Sequence, residues 1–108
     1  MRLLLDESVP VKLRHSLPQH EVRTAVEMGW SGVKNGQLLA LAAKDFDAFI
    51  TVDKNLPYQQ NLKMLPIAIL VLDARSNELS ALLPLVPELE RQIASLVART
   101  YIRIGVGA

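Results

Sequence analysis

The sequence contains no cysteine. Disulfide scaffolds, zinc ribbons and thiol catalysis are excluded together. Any metal has to be held by oxygen or imidazole. Long apolar runs are missing too: the charge-free stretch at residues 64–72 is about nine residues long and contains Pro66, whereas a membrane-spanning helix needs about 20. The opening three-leucine run stops at Asp6, short of the roughly 7–15 apolar residues of a secretory signal core. There is no repeat, no low-complexity segment and no linker rich in Gly, Ser or Pro. A large excess of one charge is also absent: 12 Lys plus Arg stand against 11 Asp plus Glu, a net charge of +1. Binding nucleic acid through bulk positive charge is thereby excluded, although local patches are not. These absences describe a soluble, intracellular, cytoplasmic chain with no membrane segment.

What is present is enough apolar material for a core. Of 108 residues, 50% are hydrophobic and 21% are charged, the composition of one globular domain spanning 1–108. Leu3-Leu4-Leu5 is apolar at every position, which suits a strand buried on both faces of a parallel sheet. Ser8 is placed to cap a helix in which Val9, Leu13 and Leu17 recur at spacing four, and Pro18 stops it. Residues 21–25 form a weaker strand candidate. Residues 25–28 read as a helical turn ended by Gly29, followed by the loop Trp30-Ser31-Gly32. Asn35 reads as the N-cap of a helix running to Lys44, with Leu38, Leu39, Leu41 and Ala42 on its apolar side. Residues 48–52 have high β-propensity. Residues 54–62 read as a short helix or loop. Residues 67–72 form a second fully apolar strand. A helix is expected from Asn77 to about Ala98, kinked or split by Pro84 and Pro87. Residues 101–104 alternate as an edge strand does. Strands alternating with helices predict a three-layer α/β/α, Rossmann-like sandwich with a mainly parallel sheet.

The acids are not scattered at random on this pattern. Three candidate strands run into an aspartate: LLLD at Asp6, FITVD at Asp53 and LVLD at Asp73. Carboxyl ends of parallel strands share one edge, and ligands of open α/β sheets bind outside it. Three carboxylates therefore converge, with Glu7 beside the first. Converging carboxylates repel unless a cation joins them. A hard divalent ion, Mg²⁺ or Mn²⁺, is the natural partner of an all-oxygen site. The bland alternative is that each aspartate is a turn residue or cap, and Asp73 is the one best suited to that.

The segments LLLDESVP and FITVDKNL, with KNGQLLALAA between them, resemble a PIN-like nuclease domain. The resemblance is to the compact single-domain bacterial branch often encoded in toxin–antitoxin-like gene pairs. It rests on an apolar strand running into Asp6-Glu7 and a strand running into Thr51-x-Asp53-Lys54, and it covers residues 1 to about 98. It implies Mg²⁺- or Mn²⁺-dependent cleavage of RNA, with Asp6 and Asp53 holding the ion and Glu7 supporting catalysis. The family usually carries an acid at the start of the helix where this chain has Asn35-Gly36-Gln37. An amide there supports water or substrate without adding negative charge, which lowers metal affinity. Asp73 is a further candidate metal ligand, outside the matched motif, that would restore part of that charge.

Other candidates are weaker. Lys54 follows Asp53 and suits a phosphate contact or balances the acids. Lys12, Lys34 and Arg75 fall on or near elements above the same edge, and for each of the four a solvated surface charge is the commoner case. Asn35 and Gln37 are candidate substrate or water contacts. Tyr58, Gln59 and Asn61 follow Asp53 and are candidate crevice residues. Trp30 either stacks on a base or, more commonly, anchors its loop to the core. His15 and His20 fall at the far end of the first helix, away from the acids. The alternative reading is a PIN-like module that binds RNA or protein without cutting. A receiver-like domain fits less well, because Lys54 adjoins Asp53 instead of ending a later strand. The apolar stretch Pro84-Leu85-Val86-Pro87 is either a helix pair buried on the sheet or a surface for a homodimer or an antitoxin-like partner.

Overall fold

The computed structural model describes residues 1–56 and 65–105. Strands β1 (Arg2–Leu5), β2 (Glu21–Thr24), β3 (Ala48–Thr51), β4 (Ala68–Asp73) and β5 (Tyr101–Gly105) form one sheet. Its order is β2-β1-β3-β4-β5, and every neighbouring pair is parallel. Among the described residues there are three α-helices: α1 (Asn35–Asp45), α2 (Leu79–Leu82) and α3 (Val86–Ala94). A 3-10 helix, Val11–Ser16, links β1 to β2, and a second, Leu83–Leu85, joins α2 to α3. None of these helices is long and apolar enough to cross a membrane.

Strand periodicity explains the layers. Leu3, Leu5, Ile50, Leu70 and Leu72 face one core, together with Leu13, Leu82, Leu89 and Ile93 from the helices and Leu17 just after the first of them. Leu4, Phe49, Ile69 and Val71 face the other, against Leu38, Leu39 and Ala42 of α1. Alternate residues of a strand point to opposite faces, so runs apolar at every position are what a sheet covered on both sides needs. The molecule is a three-layer α/β/α sandwich of the Rossmann-like, doubly wound type.

Several local expectations change. Ser8 does not cap the first helix. That helix is a 3-10 turn entered through Pro10, with no side-chain cap. Its period nevertheless points correctly inward, since Val9, Leu13 and Leu17 are buried. Residues 25–29 make a hydrogen-bonded turn instead of a helix. The helix expected to be capped by Asn35 starts one residue earlier: Lys34 is its N-cap, in extended backbone and without a side-chain hydrogen bond. The long final helix is split, as its prolines require, and it stops at Ala94. Its cap is Glu78, while the Asn77 amide donates to the Ser8 carbonyl at 3.1 Å. Leu82, Leu85 and Leu89 are buried beneath it, while Leu83, Pro84 and Pro87 are exposed and Val86 is half-buried, so these three leucines cover the sheet and the prolines stay on the surface. The segment 54–62 lies, from Pro57 onward, outside the described residues.

The order 2-1-3-4-5 places a topological switch point between β1 and β3, where chain connections depart in opposite directions. Open parallel sheets form their ligand crevice at that position, beyond the carboxyl ends of the strands.

Candidate functional site

Asp6 is fixed to the switch point by both backbone and side chain. Its amide donates to the Ile50 carbonyl at 2.9 Å, continuing the ladder between β1 and β3 by one residue. Its Oδ2 accepts from the Thr51 hydroxyl at 2.9 Å and from the Ser8 hydroxyl at 2.7 Å. Thr51 is buried at the end of β3. The same Thr51 oxygen accepts the amide of Asp53 at 3.0 Å. One buried hydroxyl therefore joins the carboxylate after β1 to the backbone of the aspartate after β3.

Asp53 partly fulfils the bland expectation. Its Oδ1 accepts the Asn55 amide at 2.9 Å, the local turn that aspartate favours. Asp6 Oδ1 and Asp53 Oδ2 have no hydrogen-bond partner among the described residues. Both side chains are half-buried.

Glu7 is exposed and faces a different neighbour. Its Oε1 accepts the Gly32 amide at 2.8 Å, tying the end of β1 to the loop before α1. Gly32 has φ of 79°, a conformation that glycine adopts without steric cost. Trp30, in the same loop, meets Phe46 edge-on with centroids 6.2 Å apart. It packs against the core on the α1 side, so the anchoring role describes its place.

Asp73 closes β4, and both its oxygens are taken by cations. Lys54 Nζ lies 2.7 Å from Oδ1, while Arg103 Nη2 and Nε lie 2.6 and 2.8 Å from Oδ2. The Lys54 hydrogen bond, then that of Arg103, holds the Asp73 carboxyl below the usual aspartate range. A metal at Asp73 would have to displace two charged donors. The three strand-end aspartates thus share one edge, and Asp73 is there the centre of two ion pairs. Among the described residues no three acidic or histidine side chains gather into a metal-holding group.

The remaining expected residues are spread out. Gln37 is exposed in the first turn of α1. The backbone of Asn35 opens that helix, and its side chain is not among those described. Tyr58, Gln59 and Asn61 lie outside the described residues. Lys12, Lys34 and Arg75 are exposed. His20 is at the opposite end of the sheet, where its Nε2 is 2.9 Å from Glu90 Oε1 and its Nδ1 is 3.5 Å from the terminal amine.

A cavity of about 450 Å³ opens at the carboxyl ends of β1 and β2, walled by Val9, Pro10, Val11 and Val26, with Asp6, Glu7, Thr24 and Glu27 contributing polar groups. It lies on the β2 side of β1, whereas Asp53 stands on the β3 side. Glu27 is paired there with Arg14 through two bonds of 3.1 and 2.9 Å. Arg14 and the Thr24 amide hold its carboxyl below the ordinary glutamate range.

Residues missed in the sequence are those that orient the acids: Ser8, Thr51 as a hydrogen-bond partner, and Arg103. A signal existed for the first two, each a hydroxyl two positions from a strand-end aspartate. No comparable signal marked Arg103, which is remote in sequence. The chain matches no family model, no curated protein and no solved structure.

Proposed function

We propose that this chain is a metal-dependent ribonuclease of the PIN-like kind. The observation that carries this reading is the joining of Asp6 and Asp53 through Thr51 at the switch point of a parallel sheet. The donor set fits a hard cation. Each aspartate has one oxygen committed within the protein and one without a partner among the described residues. Magnesium ordinarily takes one or two protein carboxylates, completing its shell with water and substrate phosphate. When bound, Mg²⁺ or Mn²⁺ would supply charge neutralisation at the phosphodiester and a more acidic water.

The chain's own residues do the rest. Ser8 and Thr51 orient the Asp6 carboxylate, so its second oxygen points without rotational search. Glu7, anchored by one oxygen to Gly32, orients the attacking water with the other. Lys54 contacts a phosphate, and Asn35 and Gln37 support water or substrate at the start of α1. Hydrolysis is direct, with no covalent enzyme intermediate.

One observation favours a second reading, a weakened module that binds RNA or protein without cutting. No third acid joins Asp6 and Asp53 among the described residues, and the first turn of α1 carries none. Cleavage of single-stranded RNA in Mn²⁺, and its loss in EDTA, supports the nuclease. RNA binding with no cleavage in any divalent metal supports the module. A toxin role belongs to the same proposal, with an antitoxin-like partner or a second copy of the chain covering part of its surface. Growth arrest on expression, relieved by the product of an adjacent reading frame, tests that role.

A further inference from the structure

Lys54 and Arg103 come from different parts of the chain, the turn after β3 and the last strand. They meet on one carboxylate, that of Asp73 at the end of β4. Two cations on one anion leave this cluster with a charge of +1, directly beside Asp53. Their donors are not exhausted. An ammonium has three N–H groups, and Lys54 directs two toward Asp73 Oδ1 and the Ala74 carbonyl, the latter at 3.3 Å. A guanidinium has five, and Arg103 turns its Nε and Nη2 side to Asp73. Its Nη1 has no hydrogen-bond partner among the described residues. Both cations remain near half exposed, at 45% and 53%, while Asp73 is 27% exposed.

A carboxylate that binds two long cationic side chains restricts their rotamers and keeps them side by side. Their outer N–H groups then face solvent as a preformed pair, suited to the oxygens of a phosphodiester. We infer that Lys54 and Arg103 form a phosphate-gripping pair that seats the RNA strand next to Asp53, with Asp73 as the positioning residue that holds the pair together. This rests on the ribonuclease reading and adds to it a backbone contact on β5 and a structural task for Asp73. Such contacts grip phosphate and carry no base preference.

The test is binding of a labelled single-stranded RNA in EDTA, followed by fluorescence anisotropy between about 50 and 200 mM salt. Each phosphate contact on a single strand contributes about 0.7 to the slope of log affinity against log salt. The variant Lys54→Gln/Arg103→Gln is expected to lose about 1.4 from that slope and to weaken binding equally across RNA sequences. Lys54→Arg/Arg103→Lys keeps both charges and is expected to restore the slope, which separates the pair's charge from any effect on folding. Asp73→Asn removes one negative charge, which by itself tightens binding, but it also frees the two cations. Weaker binding at the upper salt concentration is the expected result, and tighter binding there overturns the positioning role of Asp73. A wild type that cleaves RNA with a slope unmoved by the glutamine variant overturns the pair and leaves the ribonuclease reading intact. Binding that depends on the pair without any cleavage supports the pair and overturns the ribonuclease reading. A wild type that cleaves RNA in Mn²⁺ but does not bind it in EDTA overturns the pair alone, and one that neither binds nor cleaves overturns both.

Discussion

The Thr51 hydroxyl donates to Asp6 Oδ2 at 2.9 Å and, through the same oxygen, accepts the amide of Asp53 at 3.0 Å. A side chain at the end of one strand thereby sets the geometry of acids following two strands. Thr51→Val keeps the shape and removes both bonds, leaving the Asp53 amide without its acceptor. A buried group left unpaired costs about 1–3 kcal/mol. Chemical denaturation is expected to show a loss of that order, with RNA cleavage reduced further than stability alone explains. Thr51→Ser retains the hydroxyl and is expected to recover most of both.

The Asp73 ion pairs predict a pH dependence. Lys54 first and Arg103 second lower the carboxyl's pKa in the folded protein. A lowered folded pKa stabilises the native state fully above the unfolded value, and that contribution disappears as pH falls through the folded value. Acid unfolding of the wild type is therefore expected to be steeper than that of Asp73→Asn across the range below the ordinary aspartate pKa. The two curves are expected to run parallel near neutrality. Circular dichroism at a series of acidic pH values checks this.

Glu7 and Gly32 supply a third test. Gly32 has φ of 79° and nothing within 4 Å of an added Cβ, so Gly32→Ala meets only backbone strain, about 1–2 kcal/mol. Glu7→Ala leaves the Gly32 amide without its acceptor. Hydrogen exchange at that amide is expected to accelerate in Glu7→Ala and stay slower in Glu7→Gln, whose side-chain carbonyl still accepts.

The layered core predicts the largest stability losses. Leu70 is fully buried on β4, between β3 and β5, where Leu70→Ala removes volume that neighbours only partly refill, at about 2–5 kcal/mol. Val97 is 63% exposed, and Val97→Ala is expected to stay within about 0.5 kcal/mol. Equilibrium unfolding in urea separates the two.

The sheet was legible in the sequence because burial on both faces imposes an unbroken apolar run. Leu3-Leu4-Leu5 and residues 67–72 show this, and each run ends where charge resumes. The first helix was less legible. Val9, Leu13 and Leu17 give the inward period, but Pro10 delays the helix and shortens it to a 3-10 turn. The edge occupied by Asp6, Asp53 and Asp73 was legible from strand endings alone. The partner of each carboxylate was not, because it depends on which remote side chain the topology brings alongside. Arg103 is 30 positions from Asp73, and only the pairing of β5 with β4 unites them.

In the proposed ribonuclease, Asp6 and Asp53 together hold the cation on which RNA cleavage depends. The most direct measurement is the single-turnover cleavage rate of an end-labelled RNA in Mn²⁺ by the wild type, Asp6→Asn, Asp53→Asn and the double variant, each confirmed folded. Cleavage by the wild type is expected, with a loss of at least about 100-fold in each single variant, about 2.7 kcal/mol of activation free energy. Little further loss is expected in the double variant, since both residues serve one ion. Cleavage that persists in the double variant, or a wild type inactive in every divalent metal, would rule out a catalytic cation at Asp6 and Asp53.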